Sequence, residues 1–289
     1  MTKTVKTGFE EFLTTITPSK TKFDRAKKHG KLIRQAIKTT LGINLFFQTG
    51  SFRYDTSIKN YSYVDYFVSI PKERLSEDSK YHLSRLCTEL NKKFPTTGIK
   101  VKSHAIVIPS YRKSSESIKV YPARHIDVPN NHRGIFEIPR GDGGWLTTSP
   151  GTQDNYVTGI NKKLDDMLKP LIRLMKAWKY FCDVPINSHY LEMRIANEMS
   201  GYPGISYEIN VPALLEMLLK YDLRKFEDPL RISGYINACS KESKKDAISK
   251  LKSAVIRANH AYEKGKKGDI SSAFIWWNKV FNKKFASYN

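Results

Sequence analysis

Apolar residues recur every three or four positions at the start of the chain and again in its second half, and they alternate with polar residues in between. The segment 7–16 carries its apolar residues on one helical face, which predicts a short helix. Pro18 suits the first turn of a second helix, which we expect to run to about Leu41 and to end at Gly42.

The middle of the chain reads as strands. Four runs rich in β-branched and aromatic residues predict strands at 43–48, 63–70, 99–108 and 117–123. A helix capped by Ser76 and running to about Lys93 interrupts them. From about Gly159 onward the pattern predicts helices at 159–182, 187–200, 210–221, 241–263 and 269–282. The order predicts the α+β class, with a mixed-sheet lobe at 1–158 and a helical lobe at 159–289.

The chain is strongly basic, with 49 Lys and Arg against 28 Asp and Glu and a formal net charge of +21. Such an excess attracts polyanions. Lys27, Lys28, Lys31 and Arg34 are spaced to share a face of the second helix, which makes them a candidate RNA- or DNA-binding surface. A lysine-rich solvated surface without any nucleic-acid role is the competing interpretation.

Neither secretion nor membrane insertion is indicated. No apolar run approaches the roughly 18–20 residues that a membrane-spanning helix needs, and the basic start of the chain lacks the apolar core of a signal peptide. Cys87, Cys182 and Cys239 have no metal-ligand spacing, so we expect free thiols. The expectation is a cytoplasmic monomer that does not engage membranes.

One motif carries phosphate chemistry. The stretch QTGSFRYDTSIKNYSYVDYFVSI, residues 48–70, places Gly50 and Ser51 directly after a strand, where a glycine lets the backbone approach a phosphate and the serine adds a donor. In the strand that follows, positions 63, 65 and 67 share one face, and Asp65 lies on it. A phosphate cradle beside an acid-bearing strand is typical of phosphoryl-transfer sites that use Mg²⁺.

This stretch resembles the signature of the polymerase-β-type nucleotidyltransferases, and among them the CD-NTases, bacterial relatives of cyclic GMP-AMP synthase in anti-phage signalling. The similarity continues, in the family's order, through IKVYPARHI, GGWLTTSPGTQDNY, LKPLIRLMKAWKYF and INSHYLEMRIA. The resemblance implies a polymerase-β-like lobe and a helical lobe with a cleft between them. There NTPs would be joined into a cyclic di- or oligonucleotide second messenger that reaches a downstream effector.

The resemblance also implies a metal site and nucleotide contacts. The family's three metal carboxylates correspond to Tyr63, Asp65 and Lys119, of which only Asp65 is an acid. Mg²⁺, or Mn²⁺ in its place, would therefore bind weakly in this chain. The nucleotide-binding positions implied by the same resemblance are Gln48, Gly50, Ser51, Lys176 and Ser188.

The two departures matter because Mg²⁺ prefers hard, charged oxygen ligands. A phenol ionises only near pH 10 and is a poor ligand at neutral pH. The ammonium of Lys119 would occupy the place of a cation. Glu116 and Asp127 are possible substitutes, although Glu116 lies at an odd offset from Lys119 and so faces away in a regular strand.

Three interpretations remain open. The first is a CD-NTase with a weakened metal site, whether by nature or by inactivation. The second is a nucleotide- or RNA-binding pseudoenzyme of the same fold, and the third is a polynucleotide-tailing enzyme of the superfamily. The predicted helix 159–182 bears on all three interpretations. Its basic residues lie along one stripe, namely Lys162, Lys169, Arg173 and Lys176. This stripe is either a solvated face or, at Lys176, a contact to a triphosphate.

Overall fold

The computed structural model describes residues 3–43, 45–71, 76–102, 104–110, 116–126, 134–140 and 143–288. The helices of these residues are α1 (Val5–Ile16), α2 (Lys20–Leu41), α3 (Gly50–Arg53), α4 (Ser79–Lys93), α5 (Pro150–Lys163), α6 (Leu168–Phe181), α7 (Ser188–Met199), α8 (Tyr207–Lys220), α9 (Lys241–Lys266) and α10 (Ile270–Val280). The strands are β1 (Leu45–Thr49), β2 (Val64–Ser69), β3 (Lys100–Lys102), β4 (Ala105–Ile108), β5 (Ile118–Ile126), β6 (Ile135–Pro139), β7 (Trp145–Thr148), β8 (Phe226–Glu227) and β9 (Tyr235–Ile236). The α+β class is confirmed.

The chain forms two compact units, one of residues 18–154 and one of residues 1–17 with 155–289. The division near residue 154 lies close to the one expected at 158, but α1 belongs to the helical unit instead of the sheet unit. The reason is aromatic packing. Phe12 and Phe281 have ring centroids 4.7 Å apart, and Phe9 and Trp277 have centroids 4.8 Å apart. The amphipathic pattern of α1 predicts a buried face without saying which unit covers it.

In the sheet unit, a mixed sheet has the strand order β1-β2-β5-β4-β3, and β6 pairs with both β5 and β7. β2 and β5 run parallel, while the other neighbouring strands run antiparallel. The long strand β5 therefore holds the centre of the sheet, with β2 on one side and β4 and then β6 on the other.

The two faces of this sheet have separate hydrophobic clusters. Val64, Tyr66 and Val68 of β2 point into a core shared with buried residues of α2 and α4. Phe67 points the other way, into a smaller cluster with Tyr121 and Phe136. Because side chains alternate along a strand, Asp65 lies on the same face as Phe67, as the sequence predicted.

Helix α2 approaches the sheet closely at a glycine. The Tyr66 hydroxyl donates a hydrogen bond to the Ala26 carbonyl oxygen at 2.9 Å. A Cβ placed on Gly30 would lie 2.3 Å from the Tyr66 hydroxyl oxygen and 2.5 Å from the ring carbon that bears it. The absence of a side chain at Gly30 thus allows the tyrosine to fit beneath the helix.

Two elements of the sheet unit differ from the sequence prediction. The single strand expected at 99–108 is an antiparallel pair, β3 and β4, with Val101 opposite Ile106. Helix α4 begins at Ser79 and is capped by Asp78, whose side chain accepts a hydrogen bond from the Lys80 amide, so the expected cap at Ser76 was wrong. Strands β6 and β7 were not predicted.

The helix expected at 159–182 is also wrong, because it is interrupted between α5 and α6. Asp165 and Asp166 adopt positive φ angles of 50° and 59°, a conformation that ends a right-handed helix. Asn161 stabilises the break, since its side chain donates to Asp166 and accepts from the Lys169 amide. Residues on either side of the break cannot share one helical stripe.

None of the described helices has the length and apolar character that a membrane span requires. Cys87, Cys182 and Cys239 are free, as the sequence predicted, and each is half-buried.

Alanine substitutions at two helical glycines distinguish the effect of packing on stability from the effect of helix propensity. Gly30→Ala should lower the free energy of unfolding by about 1–3 kcal/mol, because the methyl group overlaps Tyr66. Gly159→Ala in α5 is the matched control, since a Cβ there would meet no atom within 4 Å. It should stabilise the helix by about 0.5–1 kcal/mol. Urea denaturation followed by circular dichroism measures both, and an equal gain at Gly30 would contradict this packing account.

Candidate functional site

The candidate site begins where β1 passes into α3. Thr49 pairs with Asp65 in the β1–β2 register, and Gly50 follows with φ at 66°. A Cβ on Gly50 would lie 2.2 Å from Asp65 Oδ2. Both the backbone conformation and the contact therefore require glycine. Ser51 follows in the first turn of α3, and Gln48 is half-buried opposite Tyr66 in β1.

Asp65 is the acidic centre of this face. The Tyr121 hydroxyl donates a hydrogen bond to Asp65 Oδ1 at 3.1 Å. In the parallel β2–β5 pairing, Asp65 lies opposite Lys119, so the acid and the ammonium come from adjacent strands. The structure thus brings together Gly50, Asp65 and Lys119, as the motif order led us to expect.

Lys119 is held against Tyr63. Its Nζ lies 4.3 Å from the centroid of the Tyr63 ring, which is within range of a cation–π interaction. Burial lowers the pKa of the Lys119 ammonium, the carboxylate of Asp65 raises it, and the charge of Lys102 lowers it. Among the residues that the structure describes, Lys119 Nζ has no ion-pair or hydrogen-bond acceptor.

Sequence reasoning missed three further residues of this face. The rings of His104 and Tyr121 stack with centroids 5.7 Å apart. Burial and then the charge of Lys119 lower the pKa of His104, so the imidazole is neutral at pH 7. Tyr121 was within reach of prediction, because it is two residues beyond Lys119 on the same strand face. Lys102 ends β3 and His104 directly precedes β4, inside what the sequence presented as one strand.

Glu116 does not stand in for the carboxylate that Lys119 replaces. Its Oε1 accepts from Lys22 Nζ at 2.5 Å, and the same ammonium donates to Asn60 Oδ1 at 2.5 Å. Glu116 is buried and borders, with Tyr63, a cavity of about 270 Å³. Within the described ranges, no group of three or more His, Cys, Asp or Glu side chains could hold a metal ion. Asp127 lies outside the described residues.

In the helical unit, Lys176 is fully buried, and its Nζ forms an ion pair with Glu192 Oε1 at 2.7 Å. Arg173 is buried as well, so the solvated basic face predicted for this helix is wrong at both positions. The Glu192 partner was missed, although it lies within the INSHYLEMRIA motif.

Ser188 is the first residue of α7 and has two donors nearby. Lys179 Nζ donates to Ser188 Oγ at 3.2 Å, and the Tyr180 hydroxyl lies 3.2 Å from the same oxygen. Nucleotide contacts at Ser188 and at Lys176 remain predictions.

Four basic residues of α2 form an exposed group. Lys27, Lys28, Lys31 and Arg34 face solvent, while Ile33 and Ile37 of the same helix are buried in the core. Their shared face is therefore confirmed, and its binding of nucleic acid remains a prediction.

Known proteins resemble this chain in sequence and in fold. A curated relative, a probable cyclic nucleotide synthase of Bacillus cereus, is 23% identical over 208 residues, which make up 65% of this chain and 62% of the relative. The alignment thus spans less than two thirds of that relative. Among solved structures, Escherichia coli MS115-1 CdnC with ATP superposes with a TM-score of 0.76 at 18% identity, covering 98% of this chain and 99% of CdnC. A deletion mutant of the Vibrio cholerae di-nucleotide cyclase DncV superposes with a TM-score of 0.74 at 15% identity, covering 100% and 98% of the two chains.

The family assignment rests on the sheet unit and on the residues just beyond it. The sequence profile of the Second Messenger Oligonucleotide or Dinucleotide Synthetase domain, SMODS, matches residues 2–161, which is more than half of the 289 residues. The mixed sheet and the helices match the polymerase-β-like nucleotidyltransferase fold of CdnC and DncV. This protein therefore belongs to the SMODS family, and it has the fold of the bacterial CD-NTases.

Proposed function

We propose that this chain is a nucleotide-binding CD-NTase with a degenerate metal site, so that its synthesis of a cyclic di- or oligonucleotide from NTPs is lost or strongly reduced. The observation that carries the proposal is the position of Lys119. Its ammonium lies over the Tyr63 ring, in register with Asp65, where the family resemblance implies carboxylates.

The physical argument concerns the ligands that a divalent metal needs. Two Mg²⁺ ions require several hard oxygen donors, and Mn²⁺ has similar preferences. Among the described residues of this face, only Asp65 supplies a carboxylate, while Lys119 adds a positive charge that opposes cation binding. The residues present on this face do not fit a two-metal site. In this proposal the chemistry that metal ions supply, charge neutralisation and activation of a hydroxyl, is absent or weak.

Nucleotide binding has separate support. Gly50 keeps the positive φ and the close approach to Asp65 that the cradle needs, and Ser51 stays beside it. These features do not depend on a metal ion. We therefore assign nucleotide contacts of this unit to Gly50 and Ser51, and we extend the assignment to Gln48, Lys176 and Ser188 from the family resemblance alone.

The competing function is cyclic-nucleotide synthesis by the chain as it stands. Membership of the SMODS family favours it. In either case a role in anti-phage defence and a downstream effector follow from the family resemblance. A tailing enzyme is disfavoured, because the resemblance to CdnC covers 98% of this chain, including the helical unit.

Restoring the carboxylates tests the proposal. We expect the double variant Tyr63→Asp/Lys119→Glu to form cyclic product from labelled NTPs and Mg²⁺ or Mn²⁺ about 100-fold or more faster than the unmodified chain. The regained metal sites lower the barrier by several kcal/mol, and about 1.4 kcal/mol corresponds to a factor of ten.

The matched control is Tyr63→Phe/Lys119→Gln, which changes the same two positions without adding a carboxylate and should stay inactive. Adding Asp65→Asn to the double variant should abolish its gain. Robust product formation by the unmodified chain would instead establish the competing function.

A second proposal concerns the exposed basic face of α2, which we infer to be an RNA- or DNA-binding surface. If its four cations each contact a phosphate, the affinity for labelled duplex RNA should fall on the order of 100-fold between about 50 and 200 mM salt, because counterions are released on binding. Lys27, Lys28, Lys31 and Arg34 changed together to Glu should abolish saturable binding.

The control for this experiment has the same change of net charge on another exposed surface. It carries Glu at four exposed lysines of α9, namely Lys241, Lys245, Lys252 and Lys266. If both variants lose affinity equally, or if neither does, α2 is not the binding surface. The excess positive charge is then a property of the lysine-rich composition and does not mark a specific nucleic-acid site.

A further inference from the structure

Lys119 has hydrogen-bonding capacity that its surroundings leave unused. An ammonium group carries three N–H donors and no acceptor. In the described part of the chain, its recorded neighbours are the Tyr63 ring, at 4.3 Å from the centroid, and the more distant charges of Asp65 and Lys102. The side chain is half-buried, so it has already lost part of its hydration. Oxygen atoms of an anion would satisfy these donors.

The charge of this sheet face also favours an anion. Asp65 contributes −1, while Lys119 and the two lysines of β3 on the same face, Lys100 and Lys102, contribute +1 each, which sums to +2. His104 adds no charge at pH 7, because its pKa is lowered by burial. With the three carboxylates implied by the family resemblance and the same two lysines of β3, the sum would be −1. The sign of the face is therefore reversed, from one that attracts Mg²⁺ to one that attracts a polyphosphate.

We infer that Lys119 takes the place of the metal ion as the cation that holds the polyphosphate of a nucleoside triphosphate, so that this site binds NTPs without Mg²⁺. The inference rests on the proposed function, since it names the group that keeps nucleotide binding after the metal ligands are lost. The ligand class is a nucleoside triphosphate free of metal.

The neighbours of Lys119 hold it in place for this role. The Tyr63 ring fixes the ammonium from one side by a cation–π contact. Asp65 is itself fixed, because Tyr121 donates to its Oδ1 and Gly50 packs against its Oδ2. The carboxylate on the adjacent strand favours the charged form of the ammonium and opposes the effect of burial, which lowers the pKa of Lys119. A merely structural Lys119–Tyr63 pair would lower stability when its charge is removed but would leave the affinity for ATP unchanged, and this difference is testable.

The test is calorimetric titration of the full chain with ATP, once in excess EDTA and once with Mg²⁺. We expect ATP to bind in EDTA at least as tightly as with Mg²⁺. Lys119→Met keeps the side-chain bulk without the charge and should weaken binding in EDTA by about 10- to 100-fold, the range of a charge-assisted hydrogen bond. Lys119→Arg should keep most of the affinity.

Lys93→Met is the matched control, because Lys93 is an exposed lysine of α4, which packs on the other face of the sheet, and it should change the affinity less than about twofold, as a single screened surface charge does. Inorganic tripolyphosphate should compete with ATP in EDTA, and its failure to compete would overturn the assignment of the polyphosphate to Lys119. Thermal unfolding of each variant separates loss of binding from loss of structure.

The outcomes distinguish this inference from the proposed function. Binding of ATP only with Mg²⁺ would overturn the inference and leave nucleotide binding intact. Binding in EDTA that is equally strong in Lys119→Met would also overturn it. No binding under either condition would overturn the proposed function and the inference together.

Discussion

The parallel pairing of β2 with β5 is the interaction on which the sheet unit depends. It places Val64 and Tyr66 of β2 beside Ile118 and Val120 of β5, and these side chains form the core that α2 and α4 cover. The same register puts Asp65 opposite Lys119 on the other face. A slip of one residue would send the core residues to the site and the site residues to the core.

This separation of faces explains how the fold can survive a reversal of charge at the site. The larger of the two hydrophobic clusters lies on the face away from Asp65, so a lysine or a tyrosine in place of an acid removes no contact from that cluster. Lys119 is only half-buried, and the Tyr63 ring and the Asp65 carboxylate lower the cost of placing its charge there. Stability and metal chemistry are therefore set by different side chains of the same two strands.

The helical unit shows the opposite arrangement, with charge enclosed in the core. Lys176 is 1% exposed, and its ion pair with Glu192 compensates for the hydration that the ammonium loses. Removing Glu192 would take away an ion-pair partner of a buried ammonium. Helical spacing of basic residues thus failed to predict their exposure. The spacing tells which face of the helix a side chain is on, but it does not tell whether another element covers that face.

The sequence by itself determined the local features of this protein. Alternation in β2 set the face of Asp65, glycine at position 50 set the cradle, and the family motifs set the fold. Only the tertiary structure decided the long-range contacts. They are the stacking of His104 on Tyr121, the ion pair of Lys22 with Glu116, and the aromatic packing of Phe12 against Phe281. Each depends on residues far apart in the chain, and local propensity carries no information about which distant surface will cover a given face.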